Sequence, residues 1–228
     1  MQVFEKQTLR ELYDRNSGAT FADLEFRRCR FQSCALSVTF EPARRSTARN
    51  IRLIDCTVEA SNVRTAVIEE SLVSGLKTIG LFQVWAAVFR HVTIEGRIGR
   101  VMLTPHVAPL TATPAQQRAF DEANAAFYES VDWALDISNA EFEEVELTGI
   151  PGHLIRRDPQ TSVLITRDSA LRGTWRTLDL AGTWWPESLE GVAKGRSPSE
   201  VLVAPARHRK FRRLMDGLQQ LRDAGIAE

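Results

Sequence analysis

The residues best suited to chemistry are three cysteines, four histidines and two adjacent pairs of glutamates. A cysteine thiolate can act as a nucleophile or a metal ligand. Cys29, Cys34 and Cys56 are odd in number and form no C-x-x-C pair, so neither a disulfide framework nor a dithiol redox centre is implied. His91, His106, His153 and His208 are scattered, without metal-ligand spacing. Glu69-Glu70 and Glu143-Glu144 are paired in sequence. Adjacent residues of an extended chain face different ways, so surface charge describes them better than acid–base catalysis. The sequence has no G-x-S-x-G, Walker A or G-x-G-x-x-G motif. These observations assign no catalytic residue, no metal ligand and no cofactor.

The elements that must position these side chains follow a period of five. Phe21, Phe26, Phe31 and Leu36 recur at that spacing, and two residues before each lie Ala19, Leu24, Cys29 and Cys34. The pattern restarts as Leu53, Val58, Val63, Ile68 and Val73, with Ile51, Cys56, Ser61, Ala66 and Ser71 before them. One extra residue at 74–76 is expected to shift the frame to Ile79, Val84, Phe89 and Ile94, where Lys77 breaks the partner rule. A third run is Ile137, Phe142 and Leu147, preceded by Leu135, Ala140 and Val145. Neither 3.6 nor 2 explains a spacing of five. Short extended segments joined by bends do: alternate residues point inward, each bend turns the chain, and stacked circuits pair their backbones. The cysteines then fill a narrow core, while Arg27, Arg28 and Arg30 face solvent.

The stretch CRFQSCALSV (29–38) resembles the pentapeptide-repeat proteins, with central residues over 21–98 and 135–150 following the same plan. The usual Asp or Asn before the central residue is largely replaced here, with Asn62 the exception. The resemblance implies a mainly β fold, a right-handed quadrilateral parallel β-helix, with helical caps and an inserted α-helix. On this plan 1–18 is an N-terminal helical cap, 19–103 forms coils, 104–132 is a loop and helix insertion, and 133–186 forms further coils. Residues 187–228 are a connector and a C-terminal amphipathic helix. Thr113 and Pro114 suit the start of the inserted helix.

Composition narrows the function. The formal net charge is zero, which argues against a nucleic-acid binder and against a long acidic duplex mimic. Residues 101–150 carry nine acids and one base, whereas 201–228 carry six bases and three acids. Unpaired cysteines and an N-terminus without an apolar signal run suit a cytoplasmic protein. No stretch approaches the ~20 apolar residues of a membrane span. The expected role is a non-catalytic interaction or scaffold protein that binds a protein partner. The alternatives are a bacterial self-resistance or immunity protein, topoisomerase protection included, and a β-helix enzyme acting on a carbohydrate or small molecule. Candidate partner-binding residues are Trp184, Trp185, Arg209, Lys210, Arg212 and Arg213. A tryptophan pair more often plugs the open end of a core. The C-terminal helix could cap the stack, make a homo-oligomer or dock on an acidic partner.

Overall fold

The computed structural model describes residues 1–107 and 111–228; the loop expected over 104–113 thus falls partly outside the described residues. Side chains five residues apart are not ladder partners, although the Phe26 and Phe31 rings touch edge-on inside the coil. Each instead lies beside its counterpart one circuit later. Phe4 pairs with Phe26, Phe26 with Leu53, Leu53 with Val73 and Val73 with Ile94. A second column joins Leu9, Phe31, Val58 and Thr78. A third joins Leu36, Val63, Val84 and Leu103, and a fourth joins Phe21, Ala48, Ile68 and Phe89. The chain is mainly β, with a thirteen-stranded and a four-stranded sheet, both parallel. Circuit lies upon circuit, an arrangement compatible with a parallel β-helix. Parallel neighbours bury most completely the residue two places before the centre: Cys29, Cys56, Ala66 and Val92 are all at most 2% exposed, while central residues such as Phe26, Leu53 and Val63 are half-buried.

The bends have a backbone signature. Asn50, Asp55, Ala60, Thr65, Glu70, Gly75 and Gly80 all have left-handed φ, and the series resumes at Ala86, His91 and Gly96. Tight turns of type II need φ > 0 at their third residue. Most of these residues are not glycine, so each bend costs about 1–2 kcal/mol that the stacked ladders must offset.

The same series corrects the frame shift. The extra residue enters at Gly80-Leu81, not at 74–76. Thr78 takes the central position beside Val58, and Leu76, 4% exposed, takes the inward partner position. Lys77 therefore breaks no rule, and Ile79 is 43% exposed. The apolar character of Ile79 disguised an outward residue as a central one.

The N-terminal segment is also corrected. Residues expected to be a helical cap form strands Gln2–Glu5, Thr8–Arg10 and Tyr13–Arg15. Phe4 and Leu9 sit under Phe26 and Phe31, and the Phe4 and Phe26 rings stack with centroids 5.1 Å apart. Leu12 and Tyr13, whose spacing from Phe4 and Leu9 suits one side of a helix, are 55% and 50% exposed. Tertiary pairing overrides local helical periodicity because it satisfies the backbone of a whole circuit at once.

The expected insertion helix is present as α1, Pro114–Tyr128. Thr113 accepts from the Gln116 amide, and the Gln116 side chain accepts from the Thr113 amide, a reciprocal cap. Phe120 is fully buried against Ala86 and Val107. Arg45 stacks on the Phe120 ring at 4.6 Å and donates to Asn124, which ties α1 to the wall. Burial lowers the Arg45 guanidinium to about 10.

One further short parallel strand, Ile155–Arg156, pairs with the strand Leu135–Leu147, and the expected coils stop there and do not extend through 186. The strand Ser162–Thr166 pairs antiparallel with Ser199–Val203, within the region expected to be a connector. Around this pair lie α2 (Arg167–Leu171), α3 (Trp185–Ala193) and α4 (Phe211–Asp223), which share a second apolar core. The stretch 162–166 has strand composition, but its neighbours lack the five-residue period that would carry it into the stack.

Candidate functional site

Two hooks hold the C-terminal unit against the last circuit. Arg207 donates from its backbone amide to Phe142 O and from its guanidinium to Ile98 O. The Gly152 amide donates to Ser199 Oγ at 2.9 Å. Between the two bodies is a cleft of about 280 Å³. Its floor includes Glu146 and Leu147 from the strand Leu135–Leu147 and Glu200–Val203 from the antiparallel pair. Trp184, Ser188 and Arg196 close it from the side of α3.

Glu200 is the unusual group. It is 7% exposed and forms no ion pair among the described residues. Burial pushes its carboxyl up to about 7; the Ser188 hydroxyl pulls it back, the Glu146 charge adds to the rise, and the Arg196 charge lowers it slightly. Glu146 is more open as a residue, yet desolvation of its carboxyl also raises it. The Arg196 guanidinium donates to Glu187 O at 2.7 Å and lies flat on Gly191, where a Cβ would stand 1.9 Å from its Nη2. Gly191 thus makes room for the one cation of the cleft. Buried acids with a raised pKa beside a cavity are features of ligand and catalytic sites.

The structure separates the six residues singled out from sequence. Trp185 is 1% exposed and donates Nε1–H to Leu214 O, so it is core. Trp184 is half-buried, packs edge-on against Trp185 and His208, and lines the cleft. Lys210 donates to Gly182 O, and Arg213 to Ala181 O and Asp179, so both staple the loop before α3. Arg209 and Arg212 are exposed. On α4, Leu214, Leu218 and Leu221 are fully buried within the chain, which leaves that apolar face no second role unless the unit opens. Sequence reasoning missed Glu146 and Glu200, because no motif links them and only the docking of the two bodies brings them to one cavity.

A second polar cluster sits on the bend at His91. Its Nδ1 meets Glu70 and its Nε2 meets Asp132, each at 2.6 Å, and its ring packs on Trp133. The carboxylates, Asp132 first, raise the imidazole above its ordinary value. A raised pKa means full stabilisation below pH 6.5, lost as pH climbs through the folded value. His91→Gln is therefore expected to flatten the dependence of Tm on pH above 6.5. Equal slopes for the variant and the parent chain would show the cluster to be inert.

Comparison with known proteins found no matching family model, no matching curated protein and no matching solved structure. Among the described residues, no group of three or more His, Cys, Asp or Glu side chains is arranged to hold a metal, and no helix is long and apolar enough to cross a membrane.

Proposed function

We propose that the chain is a non-catalytic interaction scaffold of the pentapeptide-repeat type, a right-handed quadrilateral β-helix that presents its walls and its C-terminal unit to a protein partner. The observation that supports this reading is the charge order of the walls. Glu25 pairs across strands with Arg52, Glu69 with Arg90, and Arg100 with Glu144, in each case between residues in direct register. Arg30 reaches Glu59 diagonally across the same ladder at 2.6 Å. Such ladders hold long side chains in place before any partner arrives, so docking costs less ordering entropy.

The test is affinity capture with the parent chain and with an Arg52→Glu, Arg90→Glu double variant of matched Tm. A stoichiometric macromolecule retained by the first and lost by the second is the expected result. Failure of the parent chain to retain any macromolecule would remove the reading. A self-resistance or immunity role is one form of this binding function. The enzyme reading draws on Glu146 and Glu200 sharing one cleft. Turnover of an oligosaccharide or small substrate that Glu200→Gln abolishes would select it instead.

A further inference from the structure

We infer that the cleft between the last parallel circuit and the C-terminal unit binds the ammonium group of a lysine side chain presented by a protein partner. The inference rests on the scaffold reading and names the chemistry of its contact. Glu200 is 7% exposed, lines the cavity and, among the described residues, forms no ion pair; the Arg196 charge acts on it only from beyond contact distance. A buried carboxylate without a counter-charge is costly, and an incoming cation relieves that cost. The cleft also has an apolar side. Leu81, 40% exposed, with Met102 and the half-buried Trp184, lines the same cavity as Glu200 and Glu146. An aliphatic stem ending in a charge matches a wall that is apolar in one part and acidic in another. The Trp184 ring adds a face for a cation.

The other charged groups around Glu200 are Glu144, Glu146, Glu187 and Arg196. Glu144 is taken by Arg100 at 2.6 Å. Arg196 is held away on the Glu187 carbonyl and the bare face of Gly191. That leaves Glu146, Glu187 and Glu200 for a ligand, and of these only Glu200 is buried. A cavity of about 280 Å³ lies at or just below the size of small-molecule pockets, about 300–1,000 Å³, and suits one side chain. Lysine fits better than arginine. The Glu200 carboxyl shares its cavity with an apolar wall, so a compact ammonium at the end of a straight aliphatic stem suits it as a single point of charge.

The probe is Nα-acetyl-lysine methylamide, titrated into the full chain and followed by the NMR shift of the Trp184 indole N–H. A saturable shift with a Kd on the order of 1 mM is expected, as suits a single anchored side chain. The neutral norleucine analogue should bind at least about tenfold more weakly. Glu200→Gln should weaken lysine binding by a similar factor while Tm stays level or rises, because the variant removes a buried charge. Affinity should also increase as pH rises through about 7, where the Glu200 carboxyl ionises. Equal binding of the norleucine and lysine probes, or an unchanged affinity in Glu200→Gln, would overturn the inference. So would tight binding of 1,5-diaminopentane with none of the acetylated lysine, which would assign the cleft to a free amine. A partner captured equally by the parent chain and Glu200→Gln would leave the scaffold reading intact and remove the lysine site.

Discussion

Trp185→Ala is expected to destabilise the C-terminal unit by about 3–5 kcal/mol, the usual cost of truncating a large buried aromatic. Trp185 is 1% exposed, packs edge-on to Trp184 and donates to Leu214 O at 3.1 Å. It also lies over Gly217 of α4, where a Cβ would stand 2.7 Å from its Cδ1. Removing the ring empties the joint between α3 and α4 and leaves a carbonyl without its donor. Denaturant melts should show an early transition for the variant. Hydrogen exchange should map that transition to 162–226 and leave the parallel sheets protected. Trp185→Phe should recover part of the loss by refilling the cavity. A melt within about 0.5 kcal/mol of the parent would mean that this core does not depend on Trp185. Deleting 205–228 should produce the same early transition, because Leu214, Leu218 and Leu221 are already used within the chain.

The second large effect is expected inside the stack. Cys56 is fully buried, and its Sγ faces the carbonyl oxygens of Phe26 and Ile54 at 3.2 and 3.5 Å. Burial pushes its thiol up to about 11, which marks a packing residue and not a nucleophile. In Cys56→Asp a carboxylate would meet two acceptors and no donor. A cost of several kcal/mol follows, and enough of it could prevent folding. Cys56→Ala removes one sulfur atom and should cost only about 1 kcal/mol. Circular dichroism and urea melts of the pair separate the two cases. A well-folded Cys56→Asp chain would show that this position does not face the interior.

The period of five made the circuits legible because it records an alternation local to the chain: one inward pair, then a bend. That alternation fails where its letters are ambiguous. Leu12 and Tyr13 imitate a helical stripe, yet they are exposed on the first circuit. Ile79 imitates a central residue while Thr78 occupies the position. The left-handed bends at Ala60, Thr65 and Ala86 carry no glycine signal, so composition did not mark them. The start of α1 was legible, because a capping box is formed within four consecutive residues, Thr113 to Gln116.

What the sequence by itself determined is what neighbouring residues decide among themselves: the repeating inward pairs, the buried role of Cys29 and Cys56, the cap of α1 and the amphipathic face of α4. Only the tertiary structure decided which surface that face covers, where the circuits end, and how Glu146 and Glu200 come to share a cavity. Those outcomes depend on contacts between segments far apart in the chain. Trp185 meets Leu214, Arg207 meets Ile98, and the strand Ser162–Thr166 meets Ser199–Val203. No spacing encodes such meetings. They follow from two apolar cores that must each be closed, and the cleft is the polar seam where the closed bodies meet.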